Sequence, residues 1–137
     1  MPKSVPPGTR FELEETVAHQ HTLTARHPQL PPVYSTPDMI RLMETACFFA
    51  LQPFAEGDEI TVGTHIDVEH RAATGLGARV KAEAVLDSFD GRFYKMNVRA
   101  WMNTSAGGDS WQEIGSGTVG RAFVSVGKFM SRLARKA

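Results

Sequence analysis

Hydrophobic residues follow two different spacings along this chain of 137 residues. Between residues 36 and 51 they recur at helical intervals, which predicts one long helix. Thr36 is the expected N-cap, Pro37 suits the first helical position, and Pro53 and Gly57 end the helix. The apolar positions of this helix are Met39, Ile40, Met43, Cys47 and Ala50.

After the helix, apolar and polar residues alternate, and this period of two predicts four strands joined by short turns. The predicted strands cover residues 60–68, 79–86, 93–102 and 111–126. Their turns contain Asp90–Gly91 and Gly107–Gly108, pairs that are typical of tight connections. In the first strand after the helix, alternate positions are occupied by Ile60, Val62, Thr64, Ile66 and Val68, and we expect these side chains on a single face.

The remaining segments have weaker patterns. Residues 1–9 are expected to form a flexible lead-in, and residues 10–25 a strand or a bent pair of strands. Three prolines within residues 27–32 predict a loop. Residues 128–137 form a basic tail, for which we expect a helix.

One strand, one helix and four further strands predict an α+β fold, in which a single antiparallel sheet packs against the helix. A sheet that wraps around one long central helix is the hotdog fold. The length predicts one domain over residues 1–137. Because such a sheet has exposed edges, pairing across a homodimer is one way to cover them.

Charge and cysteine content exclude several classes of protein. Fifteen basic and fifteen acidic residues give a formal net charge of +0, which argues against a dedicated nucleic-acid binder. A single cysteine cannot form an internal disulfide, and no apolar run reaches the ~20 residues that span a bilayer. We therefore expect a cytoplasmic protein with no membrane association.

Glu44 is the first candidate for chemistry. It lies near the edge of the apolar arc of the predicted helix, and a carboxylate on a buried face is costly unless it is satisfied. Such groups are enriched at functional sites. The alternative interpretation is an ordinary pair with Arg41, three residues earlier on the helix surface.

His70 and Thr36 are the next candidates. His70 has the parity of the apolar face of its strand and lies at the strand end, where it could serve as an acid, a base or merely a structural group. Thr36 is an N-cap at a helix terminus, where free N–H groups can hold a carbonyl oxygen. Because Thr36 and Glu44 are ~12 Å apart along a regular helix, one site containing both needs a bridging substrate or a second subunit.

Other chemistries have little support. GxSxG, P-loop and GxGxxG motifs are absent, so serine hydrolases of that type and nucleotide binders are not indicated. His19 and His21 could share a face, but without a third ligand they make a poor metal site. We expect no metal and no cofactor.

Two segments together resemble the fluoroacetyl-CoA thioesterase-like family of hotdog proteins. The segment TPDMIRLMETAC, from Thr36, is similar to the family's central helix, and VGTHIDVEHRAAT, from Val62, to its next strand. Further similarity covers EIGSGT from Glu113, then Arg121–Ala122 and Lys128–Phe129. The resemblance extends over nearly the whole chain from Arg10 onward.

This resemblance implies a homodimeric thioesterase that hydrolyses a short acyl-CoA to a carboxylate and free CoA. It places the family's catalytic residues on Thr36, Glu44 and His70, and a glycine near the acyl group on Gly63. We also expect Tyr34 and Arg121 to bind substrate. Cations for the CoA phosphates are expected among Arg79, Lys81, Arg121, Lys128 and Arg132.

Three alternatives to this assignment stay open at the level of sequence. One is an enoyl-CoA hydratase or dehydratase on the same fold, although Asp38 lacks the histidine partner such enzymes place near the helix start. Another is a non-catalytic protein that binds acyl-CoA or regulates through it. The last is a purely structural dimer module.

Overall fold

Five strands and two α-helices make up the part of the protein that the computed structural model describes, residues 4–104, 108 and 110–136. In chain order they are β1 (Arg10–Thr16), α1 (Thr36–Leu51), β2 (Glu59–His70), β3 (Arg79–Phe89), β4 (Tyr94–Asn103), β5 (Trp111–Ser125) and α2 (Val126–Lys136). Outside the described residues lie 1–3 in the predicted lead-in, 105–107 and 109 in the turn after β4, and 137 in the basic tail. Within the described ranges, neither helix is long and apolar enough to cross a membrane.

The strands form one antiparallel sheet in the order β1-β3-β4-β5-β2. Helix α1 packs against one face of it, here called the inner face. The core lies between them, where buried side chains of α1 meet inward residues of β3 and β4, as the alternation predicts. From α1 the core includes Met39, Leu42, Met43, Ala46, Cys47, Ala50 and Leu51, and from the two strands Val80, Ala82, Ala84, Leu86, Tyr94, Met96, Val98 and Ala100.

The prediction of strand through residue 25 is wrong beyond Thr16. Two single-turn 3-10 helices follow β1, at His19–His21 and Leu23–Ala25. Local side-chain bonds compete with strand pairing here: the imidazole of His21 accepts from the Ala18 N–H, and the hydroxyl of Thr22 donates to the His19 carbonyl. The loop predicted at residues 27–32 is present.

The start of α1 lies one residue earlier than predicted. Ser35, not Thr36, is the N-cap: its backbone is extended, and its hydroxyl oxygen accepts from the Asp38 N–H at 3.1 Å. Thr36 is therefore the first helical residue. This difference has a chemical consequence, because the Thr36 hydroxyl is not used for capping.

The prediction that one parity of β2 shares a face is also wrong. The pairing of β2 with β5 shifts between Gly63 and His65, so Thr64 is an extra residue and the two faces exchange at this bulge. On the inner face, with α1, lie Thr61, Gly63, Ile66, Val68 and His70. On the outer face lie Ile60, Val62, His65, Asp67 and Glu69.

The later elements match their predictions closely. The turn at Asp90–Gly91 has Gly91 at φ +100°, and the Asp90 carboxylate accepts from two backbone N–H groups. Strand β5 ends at Ser125, and the predicted helix in the basic tail begins immediately afterwards, at Val126. The N-terminus of α2 is tied to the sheet because the Asp58 carboxylate accepts from the Gly127 N–H at 2.8 Å.

Candidate active site

Glu44 lies on α1 with its side chain one-third exposed, at 34%. Its Oε2 accepts a hydrogen bond from Nη1 of Arg121 at 3.0 Å, and no described residue bonds Oε1. The alternative pair with Arg41 is wrong, because the Arg41 guanidinium donates instead to Glu15 and Asp38. The carboxylate of Glu44 therefore faces the sheet and not the helix surface.

Arg121 extends from the inner face of β5 and is only 6% exposed. Its guanidinium also donates to the Thr61 carbonyl at 2.8 Å and to the Thr61 hydroxyl. Burial lowers the pKa of Arg121, but an arginine side chain stays protonated at any working pH. The result is a fixed positive charge beneath the carboxylate of Glu44, oriented by a neighbouring strand.

Gly63 provides the space that this pair occupies. It is directly opposite Arg121 in the sheet, and a Cβ added to it would lie 2.3 Å from Oε2 of Glu44. No heavy atom tolerates so close an approach. A residue with a side chain at this position would displace the carboxylate, so the glycine is required by contact and not by backbone conformation.

The Glu44 carboxylate opens onto a cavity of about 380 Å³. Apolar and charged residues of α1 make most of its wall. The lining residues are Pro37, Arg41, Glu44, Thr45, Phe48, Phe49 and Arg121. A cavity with an apolar wall and one fixed carboxylate suits a ligand with a small, largely apolar group. This group packs against the wall, and the carboxylate meets the reactive end of the ligand.

Thr36 and His70 form a second cluster. Oγ1 of Thr36 lies 2.8 Å from Nδ1 of His70, which brings the first turn of α1 against the end of β2. Both residues line a separate cavity of about 270 Å³, together with Tyr34. The structure therefore joins two of the three predicted catalytic residues directly, and it places the third in a different cavity of the same protomer.

The second ring nitrogen of His70 is without a partner within the part of the chain that the structure describes. Nε2 is buried and makes no hydrogen bond to any described residue. Burial lowers the pKa of His70, and the nearby Ala72 backbone offsets this only in part. The imidazole is therefore neutral at pH 7, with one ring nitrogen bonded to Thr36 and the other available to a ligand.

Tyr34, predicted to bind substrate, is almost fully buried. Its hydroxyl donates to Oε2 of Glu15 at 2.6 Å, and burial raises its pKa. Glu15 also accepts from Arg41, so β1, the loop before α1 and α1 itself meet at this carboxylate. A role for Tyr34 in binding stays a prediction; its observed contacts support the N-terminal end of α1.

Sequence reasoning did not identify the partners of these side chains. Arg121 was considered as a cation for phosphates, yet it is buried under Glu44, and Thr61 and Glu15 were not singled out. One feature of the sequence does indicate the position of Arg121. Arg121 alternates along β5 with the same period as Val119 and Phe123, so its side chain is on the inner face with theirs. A cation among apolar residues needs a buried acid as its partner.

Comparison with known proteins shows the family of this chain. A family model described as fluoroacetyl-CoA-specific thioesterase matches residues 17–127. The chain belongs to the fluoroacetyl-CoA-specific thioesterase family. This match includes both clusters of the site, from Thr36 to Arg121, and it confirms the predicted resemblance and the class of thioester hydrolase.

Individual members of the fluoroacetyl-CoA-specific thioesterase family are similar over most of their length. A fluoroacetyl-CoA thioesterase from Streptantibioticus cattleyicolor is 37% identical over 122 residues, which are 89% of this chain and 83% of the relative. A solved structure of a fluoroacetyl-CoA thioesterase superimposes with a TM-score of 0.85 at 34% identity, covering 98% of each chain. A mutant solved with acetyl-CoA gives 0.85 at 33% identity, covering 97% of this chain and 99% of the other.

A more distant structure confirms the fold alone. A hot-dog-like protein from Thermanaerovibrio acidaminovorans superimposes with a TM-score of 0.82 at 21% identity, covering 96% of this chain and 92% of the other. The predicted α+β hotdog fold is therefore correct.

The close approach at Gly63 leads to a first prediction. We expect Gly63→Ala to lower the free energy of unfolding by about 1–3 kcal/mol, because the new methyl group forces the Glu44 carboxylate away from Arg121. Urea unfolding followed by circular dichroism measures this. Gly75→Ala is the matched control, since no atom lies within 4 Å of a Cβ at that position. Equal stability of the two variants would contradict the contact.

Proposed function

We propose that this protein hydrolyses a short-chain acyl-CoA thioester to a carboxylate and free CoA. The observation that carries the proposal is the Glu44 carboxylate, held at the mouth of a cavity by a buried arginine with one oxygen left unbonded. In the reaction, oxygen from water becomes bonded to the acyl carbon, the carbon–sulfur bond breaks, and the sulfur leaves as the CoA thiolate, which then takes up a proton.

Glu44 supplies the base or the nucleophile. As a base, it removes a proton from water as the water attacks the thioester carbon. As a nucleophile, it forms a mixed anhydride that water then cleaves. Both routes need an ionised carboxylate with a fixed orientation, and Arg121 supports this by holding Oε2, while Oε1 accepts from no described residue.

In this proposal the Nε2–H group of His70 binds the thioester oxygen, and Thr36 holds the imidazole in position. Oγ1 of Thr36 lies 2.8 Å from Nδ1, and we propose that the hydroxyl donates to this nitrogen, so that the ring proton is on Nε2. Nε2 is the buried nitrogen without a partner, and an unpaired buried polar atom favours binding of a group that pairs with it. A carbonyl oxygen that gains negative charge in the transition state meets this requirement.

A homodimer completes the site. Thr36 and Glu44 are ~12 Å apart along α1 and line different cavities, so one carbonyl group cannot contact both within a protomer. We propose that the Thr36–His70 pair and Glu44 act on one substrate across a two-fold interface. The predicted homodimer thus becomes part of the mechanism.

The CoA phosphates are best matched by α2. Arg79 is paired with Glu14, and Lys81 lies over the Trp111 ring at 4.3 Å, so both cations already have partners. Lys128 and Arg132 line an exposed depression on α2. The pKa of the nearby Asp58 carboxylate is lowered mainly by the Gly127 N–H, and the charge of Lys128 lowers it further. The acyl group itself would lie beside Gly63, where a side chain is absent.

The role of Glu44 can be tested by conservative substitution. We expect Glu44→Gln to lower kcat for acetyl-CoA about 10²- to 10⁴-fold, because the amide cannot accept a proton or attack the thioester. Release of thiol, followed with a chromogenic disulfide across acetyl-, fluoroacetyl-, butyryl- and hexanoyl-CoA, gives the rates. Glu12→Gln on β1, an exposed carboxylate, is the control and should leave kcat unchanged.

Unchanged turnover in Glu44→Gln would disprove the assignment. If the wild-type protein binds acyl-CoA stoichiometrically and releases no thiol, the alternative of a non-catalytic acyl-CoA-binding or regulatory protein is correct instead.

The state of His70 makes the reaction sensitive to pH. Because burial lowers the pKa of His70 below its ordinary value of 6.5, the neutral ring persists into mildly acidic solution. We therefore expect kcat/KM to be flat near pH 7 and to fall at a pH below 6.5, where the ring takes up a proton and can no longer accept from Thr36. His70→Gln should remove this acid limb, and His65→Gln, on the outer face, should keep it. A midpoint above 6.5, or an acid limb whose midpoint is the same in His70→Gln as in the wild type, would refute this role.

A further inference from the structure

Strand β2 lies at the edge of the sheet. It spans twelve residues, Glu59–His70, and pairs with β5 along one side. Among the described residues no strand pairs with its other side. A long edge with free backbone groups is a template for another strand, and proteins usually cover it.

The bulge at Thr64 makes this edge complementary to itself. In antiparallel pairing, residues directly opposite each other lie on the same face of a sheet. When two copies of β2 pair over their full length about a two-fold axis, position 59 of one copy lies opposite position 70 of the other, position 60 opposite 69, and so on. The two positions of each pair are therefore an odd number of residues apart in the sequence. Without a bulge, each pair would join an inward residue to an outward one.

With the bulge, the pairs on either side of the central Thr64–His65 pair match. On the inner face Thr61 meets Val68 and Gly63 meets Ile66, and on the outer face Val62 meets Asp67. The exchange of faces at Thr64, near the middle of the strand, therefore makes this edge compatible with a second copy of the chain in full overlap.

Ile66 is the residue that this pairing explains best. It lies on the inner face opposite Val119, which is fully buried, yet Ile66 itself is 46% exposed. In the paired dimer Ile66 of the partner subunit lies directly opposite Gly63, with Cβ atoms of opposed residues typically ~5 Å apart. Since the Glu44 carboxylate lies against Gly63, the partner's Ile66 lies next to this carboxylate, at the open side of the cavity.

We propose that Ile66 of the partner subunit forms the apolar wall of the acyl cavity and limits the length of the acyl group. The protomer alone gives this cavity walls from α1 and β5 only. A branched side chain at the open side separates the acyl cavity from bulk solvent and leaves room for a short chain. The inference rests on the proposed thioesterase function and adds a specificity residue that comes from a second copy.

Substitution at Ile66 tests the wall. For Ile66→Ala we expect the ratio of kcat/KM for butyryl-CoA to that for acetyl-CoA to rise about 10-fold, the effect of a few methylene groups in an apolar pocket. Ile66→Phe should lower the same ratio. Ile60→Ala is the matched control, because Ile60 is on the same strand but on the outer face. Equal ratios in Ile66→Ala and wild type would overturn the inference.

Mixed dimers test which subunit supplies the residue. One chain carries Glu44→Gln and the other Ile66→Ala, so the only active Glu44 faces a wild-type Ile66 of its partner. This dimer should have the wild-type ratio. When Glu44→Gln and Ile66→Ala are combined in one chain and paired with wild type, the ratio should shift. The opposite pattern would mean that Ile66 acts within its own subunit, which contradicts the proposal.

A disulfide cross-link tests the pairing without reference to activity. Val62→Cys and Asp67→Cys in one chain should give a covalent dimer on oxidation, because the two positions face each other across the two-fold axis and are too far apart within one strand. Ile60→Cys with Asp67→Cys is the control, since those positions are not opposite. Absence of the cross-link would overturn the inference even in an active enzyme. A cross-linked protein that releases no thiol would instead refute the proposed function.

Discussion

The ion pair between Glu44 and Arg121 is the interaction on which the site depends. A guanidinium buried on the inner face of a sheet is stable only when its donors are satisfied and its charge is matched. Thr61 satisfies most of the donors, and Glu44 supplies the charge. Because Arg121 is fixed by two neighbouring strands, the carboxylate on α1 is held against the sheet and not released to the helix surface.

Several features of the chain follow from this constraint. The carboxylate needs an empty position on β2, and Gly63 provides it. The bulge that follows lets the strand place both Gly63 and His70 on the inner face, although they have opposite parity in sequence. At the other end of α1, capping by Ser35 leaves the Thr36 hydroxyl to meet His70. The chemistry thus depends on two departures from regular structure, a bulge and a shifted cap.

Local pattern predicted most of the fold and part of the site. The period of α1, the alternation of β3 and β4 and the turn at Asp90–Gly91 are encoded by neighbours in sequence, and they were correct. The bulge at Thr64 and the pair of Glu44 with Arg121 were not predictable in this way. Both depend on which residue of β5 lies opposite β2, a contact between positions far apart in the chain. For the same reason Glu44 was recognisable as a carboxylate on a buried face, whereas its partner was not.

Arg121 acts on the reaction through Glu44, and a double-mutant cycle measures this coupling most directly. The kcat/KM for acetyl-CoA would be determined for wild type, Glu44→Gln, Arg121→Met and the double variant, with circular dichroism to verify that each is folded. If the arginine serves only to hold the carboxylate, the double variant should be no slower than Glu44→Gln alone, as expected for two residues that work as a unit. Losses that multiply in the double variant would mean that Arg121 acts independently of Glu44, and would contradict the account.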